Sequence, residues 1–132
     1  MRDPNEVIAA ARNAMRSAYA PYSGFYVGAA IVTDDGSLYT GCNVENESYG
    51  ATICAERTAA VKAVSEGKRR FVQLAVVSSA GKITPPCGIC RQFLAEFADG
   101  MTVYLADENG YCEYPFAELF PNAKLPMEIT AN

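Results

Sequence analysis

Cys54-Ala55-Glu56 and, further along, Pro86-Cys87-Gly88-Ile89-Cys90 are the residues whose types and spacing suit chemistry, and the chain contains no histidine. A metal site built from them is therefore a three-thiolate site. A structural zinc takes four protein ligands, whereas a catalytic zinc keeps a position for water, and three converging cysteines leave that position open. The combination points to a catalytic zinc on Cys54, Cys87 and Cys90, with Glu56 beside it to move protons. Cys87 and Cys90 stand at i and i+3, which sets both sulfurs on one side of a helical first turn. Cys54 must arrive from elsewhere. Unpaired N–H groups and the helix dipole favour a thiolate at a helix N-terminus, and both cysteine clusters stand where helices are expected to begin.

Three thiolates and one Zn²⁺ sum to a net negative charge, which blunts the metal as a Lewis acid. Arg57, directly after the glutamate, is the compensating cation, because a guanidinium donates to thiolate sulfur and draws charge from the metal. Other readings use the same residues. A Cys-x-x-Cys alone is also a redox dithiol or half of a zinc knuckle, and a glutamate at a helix start is commonly a solvated charge near the dipole. A non-catalytic zinc module would draw its fourth ligand from Cys42, Cys112 or a carboxylate. The two cysteine clusters, the adjacent Glu56 and a strand signal between them together favour the catalytic reading.

These ligands need a frame. Asp3 and Glu6 form the pattern of a capping box, and Pro4 suits a first helical turn. Val7, Ile8, Ala11, Met15 and Ala18 recur at helical spacing, which predicts a helix ending near Tyr19. After a loop with Pro21, Ser23 and Gly24, residues 26–33 are β-rich. Asp34-Asp35-Gly36 then signals a turn and 37–43 read as the second strand of a hairpin. The polar stretch 43–50 runs into Thr52, the expected N-cap of a helix reaching about Glu66 and closed by Gly67-Lys68-Arg69-Arg70. Residues 71–78 read as a fully buried strand, and its connection through a helix predicts a parallel neighbour. Pro85 and Pro86 break the chain before a third helix over 88–98. Ile89, Phe93, Leu94 and Phe97 are expected on its buried face, with Asp99-Gly100 as its stop. Strands over 101–105 and 111–114 are joined by a link too short for a parallel crossover, so they are antiparallel, and 115–120 form a short last helix. The sum is an α/β fold of three layers, α/β/α. Its mixed five-stranded sheet ends in an antiparallel hairpin, and one domain spans residues 1–132.

Half of the 132 residues are hydrophobic, enough to fill one core. A net charge of −4 leaves no broad basic face for a phosphate backbone, which argues against a nucleic acid polymer as substrate. The N-terminus lacks the apolar run of a signal peptide, and no segment approaches the roughly 18 apolar residues of a membrane span, so a cytoplasmic protein without a membrane partner is expected. Five cysteines, an odd number, read as ligands and buried thiols rather than disulfides. Cys42 and Cys112 are expected to be small buried residues of strands.

From about Ala20 to Pro121 the chain strongly resembles the free-nucleoside cytidine deaminases of the small-subunit type. The motifs are Pro21-Tyr22-Ser23-Gly24-Phe25 with Val27-Gly28-Ala29-Ala30, Gly41-Cys42-Asn43-Val44-Glu45-Asn46, Cys54-Ala55-Glu56-Arg57-Thr58-Ala59, and Pro86-Cys87-Gly88-Ile89-Cys90-Arg91-Gln92. The resemblance implies a cytidine-deaminase-like fold and a zinc-dependent hydrolase of pyrimidine salvage that converts cytidine and deoxycytidine to uridine and deoxyuridine. It implies one zinc per chain on Cys54, Cys87 and Cys90, and Glu56 as proton shuttle. Asn43 and Glu45 would hold the ribose hydroxyls, Phe25 would pack on the pyrimidine, and the Ala55 backbone would meet the base edge. It also implies a homotetramer with shared active sites. The chain departs from the family at Lys124, three positions past Pro121, where an aromatic residue usually reaches across the subunit interface. That departure keeps another aminated, cytosine-like nucleoside or antibiotic open as an alternative substrate.

Overall fold

The computed structural model describes residues 1–122, and Lys124 lies outside them. The first helix, α1 (Pro4–Met15), starts at an Asp3 cap whose side chain accepts from the Asn5 N–H at 2.8 Å. Glu6 does not close a capping box; it pairs with Arg2 at 2.9 Å. The helix stops short of Tyr19 because the Tyr19 N–H is drawn to the Asn43 carbonyl at 2.9 Å, pulling the chain into the loops described below. Strands β1 (Val27–Thr33) and β2 (Leu38–Cys42) form the expected hairpin.

Helix α2 (Ala55–Ser65) begins one residue after Cys54, which takes the N-cap position expected for Thr52. Thr52 is instead occupied on both sides: its hydroxyl accepts from the Asn46 N–H and its carbonyl from Arg57. Strand β3 (Phe71–Ser78) pairs antiparallel with β1 and parallel with β4 (Ala98–Ala106). Its parallel neighbour is thus the strand reached through α3 (Gly88–Ala95), as a helical crossover requires. That helix is shorter than the sequence suggests. The Phe97 carbonyl accepts from the Phe71 N–H at 2.8 Å and starts the sheet pairing early, so Asp99 and Gly100 lie inside β4, at a slip in its register against β3. Ile89, expected on the buried face, is 64% exposed, while Leu94 is buried and Phe93 and Phe97 are packed against the core. Strand β5 (Tyr111–Pro115) runs antiparallel to β4 and leads into α4 (Phe116–Leu119). Cys112, on this edge strand, is exposed and Cys42 is half-buried, so neither is the fully buried thiol expected.

The sheet order is β2-β1-β3-β4-β5, mixed, with both faces covered. Alternation along β1 shows the layering. Ala30 and Val32 meet Val7, Ile8 and Ala11 of α1, whereas Ala29 and Ile31 meet Ala55, Ala59, Ala60 and Ala63 of α2 and Leu94 of α3. Burial on both faces explains why β1 and β3 read as continuous apolar runs rather than alternating ones. The alanines of α2 and the missing side chain of Gly41 let that helix sit very close to the sheet: a Cβ on Gly41 would lie 2.4 Å from the Ala59 nitrogen. Gly28 serves α1 likewise on the opposite face, with the Ala11 carbonyl 2.0 Å from where a Cβ would stand. Among the described residues no helix is long and apolar enough to cross a membrane.

Candidate active site

Three loops are laced together beside the start of α2. The Tyr19 N–H donates to the Asn43 carbonyl and the Glu45 N–H to the Tyr19 carbonyl, while Val44 and Ile53 exchange two backbone bonds of 2.9 and 3.0 Å. The lacing fixes the polar loop after β2 against the residue that precedes Cys54. Cys54 and Cys87 then occupy the N-cap positions of α2 and α3, and neither helix has a side-chain cap bond there. Cys90 lies one turn into α3 and is buried.

The three sulfurs lie within 4.8 Å of one another, and those of Cys54 and Cys87 are 3.7 Å apart. Four ligands at a zinc–sulfur distance of about 2.3 Å stand about 3.8 Å from each other in a tetrahedron, so the spacing suits zinc. Cys54, Cys87 and Cys90 are the one such cluster of potential ligands among the described residues, and it contains neither Cys42 nor Cys112. A module with a fourth cysteine ligand finds no support in that arrangement.

The electrostatics follow from burial and one cation. The Cys54 thiol is pushed down to about 5, first by its hydrogen bond with Cys90 and then by Arg57, against the opposing effect of burial. Arg57 Nη2 lies 3.6 Å from the Cys54 sulfur and 3.3 Å from the Thr52 carbonyl oxygen. Cys90, sharing that bond from a buried position, is pushed the other way. The Arg57 Nε is buried without a partner among the described residues. Glu56 is only 4% exposed, and burial raises its carboxyl to about 7, with the Cys54 charge adding to the shift and Arg57 opposing it. A carboxyl that titrates near neutrality beside a thiol cluster can both take and give a proton at physiological pH.

The residues expected to meet a substrate lie on the laced loops, on the turn that Asn43 holds and at the start of α2. Ala55 opens α2 between Cys54 and Glu56, where the first helical N–H groups have no intrahelical partner. Asn43 is buried, and its side chain is used by the main chain: Oδ1 accepts from the Val27 N–H at 2.9 Å and Nδ2 donates to the Phe25 carbonyl at 2.8 Å. Glu45 accepts from the Tyr22 and Ser23 N–H groups at 3.0 and 3.1 Å and from the Ser23 hydroxyl, which hold its carboxyl below the usual range. A cleft of about 360 Å³ opens beside it, lined by Tyr22, Ser23, Glu45, Asn46, Tyr49 and Thr52. Phe25, 37% exposed, sits on the segment that Asn43 and Glu45 hold.

Sequence reasoning passed over two residues that the structure brings into this frame. Arg91 donates from Nε to the Pro86 carbonyl at 2.8 Å and from Nη1 to the Leu119 carbonyl at 2.7 Å, tying the loop before Cys87 to α4. Its position directly after a ligand cysteine was the available signal, as for Arg57 after Glu56. Ser23 bonds to both Glu45 and Phe25, and its place two residues before the aromatic in a turn with Gly24 was the only hint.

Residues 1–106 match the family model of the cytidine and deoxycytidylate deaminase zinc-binding region. A cytidine deaminase from Sporosarcina psychrophila is 50% identical over 123 residues, covering 92% of this chain and 90% of the relative. A probable cytidine deaminase from Dictyostelium discoideum is 54% identical over 115 residues, covering 86% and 78%. Among solved structures, the cytidine deaminase from Burkholderia pseudomallei superposes with a TM-score of 0.88 at 42% identity, covering 93% of this chain and 100% of that one.

Proposed function

The chain belongs to the cytidine and deoxycytidylate deaminase family, and on that premise we propose that it deaminates cytidine and deoxycytidine hydrolytically to uridine and deoxyuridine. The observation that carries the reading is the convergence of the Cys54, Cys87 and Cys90 sulfurs at two helix N-termini next to the buried Glu56. Cys54, Cys87 and Cys90 would hold the zinc. Zinc bound there supplies Lewis acidity, which brings the ionisation of a water towards neutral pH.

Glu56 does the proton work. Water oxygen attacks C4 of the pyrimidine; Glu56 accepts one water proton and delivers it to N3, then passes the second to the amino group, so that ammonia departs and the uracil ring remains. A carboxyl raised to about 7 by burial suits both directions of that transfer. Arg57 offsets the charge of three thiolates through its bond to Cys54. The free N–H groups at the start of α2, Ala55 among them, face the base edge, and Phe25 packs on the ring. Asn43 and Glu45 form the wall that meets the sugar hydroxyls, Glu45 with acceptor capacity on Oε2 beyond its bond from Ser23.

The proposal includes a cytoplasmic homotetramer whose neighbours help complete each site. The exposed apolar side chains of Tyr49 and Ile89, on the segments that flank Cys54 and Cys90, support that assembly. Five free cysteines support a reducing compartment. The test is the absorbance change when zinc-replete protein meets cytidine, deoxycytidine and, as control, adenosine. Conversion of the first two alone is expected. Silence on both with one zinc bound per chain would overturn the assignment of these substrates and turn attention to other cytosine-like rings.

A further inference from the structure

The Ser23 hydroxyl has one proton and two lone pairs, and the structure uses it in two directions. It donates to Glu45 Oε2 and accepts from the Phe25 N–H at 3.0 Å. At the other side of the same residue, the Phe25 carbonyl accepts from Asn43 Nδ2 and the Val27 N–H donates to Asn43 Oδ1. The backbone of Phe25 is thus fixed at its N–H through Ser23 and at its carbonyl through Asn43. Beyond it, Tyr26 is tied to Ser79 through both its N–H and its carbonyl, and before it Gly24, at φ +68° with open space where a Cβ would stand, donates its N–H to the Ala20 carbonyl.

Acceptor counting makes this arrangement more than a fastening. A carboxylate offers about four lone-pair sites. Glu45 Oε1 already takes the Tyr22 and Ser23 N–H groups, and Oε2 takes the Ser23 hydroxyl, so a sugar hydroxyl must enter beside the Ser23 proton on the same oxygen. Whatever binds Glu45 is therefore in contact with the group that sets the Phe25 backbone.

We infer that Ser23 is a positioning residue that couples sugar binding at Glu45 to the placement of Phe25, so that the sugar of a substrate raises the reactivity of its base. The inference rests on the nucleoside reading above and deepens it. In wild-type protein the sugar then contributes to kcat and not only to KM. A base without a sugar leaves the coupling unused.

The experiment compares cytidine with 1-methylcytosine, in which a methyl group replaces the sugar, in wild type, Ser23→Ala and Ser23→Thr. Zinc content and melting temperature are measured for each protein. Removing one hydrogen bond to a charged group is expected to lower kcat for cytidine about tenfold or more. 1-Methylcytosine should change little, so the cytidine preference collapses in Ser23→Ala and returns in Ser23→Thr, which keeps the hydroxyl. Equal losses on both substrates, or an unchanged preference, would overturn the coupling while leaving the deaminase assignment standing. Wild-type protein inert towards cytidine would overturn the assignment itself before any variant is compared.

Discussion

Gly41→Ala tests whether the site is positioned by the close seat of α2 on the sheet. A Cβ at position 41 would stand 2.4 Å from the Ala59 nitrogen, 2.5 Å from the Ala55 carbonyl oxygen and 2.9 Å from the Thr58 Cβ. Ala55 and Ala59 are the i and i+4 partners of the first turn of α2, so the methyl group would press on backbone, not on a side chain that can rotate away. Ordinary contact needs at least 3.4 Å, and 3.4 minus 2.4 requires the helix start to retreat by about 1 Å. Overpacking of this kind costs about 1–3 kcal/mol. The displaced turn carries Ala55, Glu56 and Arg57, and a misplacement of about 1 Å in a reacting group costs about a hundredfold in rate. Gly28→Ala is the control, because its Cβ would press harder still, 2.0 Å from the Ala11 carbonyl oxygen and 2.7 Å from the Met15 nitrogen of α1, on the opposite face. Urea midpoints, zinc content and kcat/KM per folded molecule are the measurements. Both variants are expected to lose stability, but only Gly41→Ala should lose about a hundredfold in the activity of the folded fraction. Equal activity losses in the two variants, or a fully active Gly41→Ala, would refute the reasoning.

Glu56→Gln keeps the size of the side chain and removes its proton, so zinc content should stay at one per chain while cytidine turnover falls by about 10²–10⁴-fold. The same substitution reports on pH. Burial raises Glu56 from 4.5 to about 7, so the folded protein keeps a proton that the unfolded chain releases, and native stability falls as pH rises through that window. In zinc-free protein the stability advantage of Glu56→Gln should grow from nothing near pH 4.5 to about 3 kcal/mol above pH 7, read from denaturant midpoints; a flat difference would contradict it. Arg57→Gln removes the donor to Cys54 and should weaken zinc binding by about 10–100-fold in a competition with a chromophoric chelator. Cys54→Ala should lose the metal outright and melt at the temperature of chelator-treated wild type.

The elements whose residues announce themselves locally were legible in the sequence. The β1–β2 hairpin, β3, the antiparallel last hairpin and the short α4 follow from alternation, turn residues and loop length, and the three cysteines follow from the i, i+3 pair and the absence of histidine. What escaped was decided by tertiary contact. Thr52 has the right side chain for an N-cap, yet the Val44–Ile53 pairing carries the chain straight through it, and the helix starts after Cys54 instead. Asp99-Gly100 has the composition of a helix stop, yet the register of β4 against β3 absorbs it as a bulge. Ile89 fits an apolar helical stripe, but its turn is oriented by Cys87 and Cys90, so the side chain faces out. The double use of Ser23, Asn43 and Glu45 by the Phe25 turn depends on atoms about twenty residues apart, and the turn composition around Ser23 and Gly24 was its only local trace.

The missing side-chain caps at α2 and α3 bear on how the molecule breathes. Each helix begins at a cysteine whose side chain bonds no backbone N–H of its own first turn, so a metal shared by Cys54 and Cys87 would fasten two helix starts that have no side-chain cap among the described residues. Fraying, ordinarily an independent event at each helix end, becomes one event for both. Amide protons around Glu56 and around Ile89, far apart in the chain, should exchange with solvent at a common rate set by metal release, while those of β3 between them remain protected.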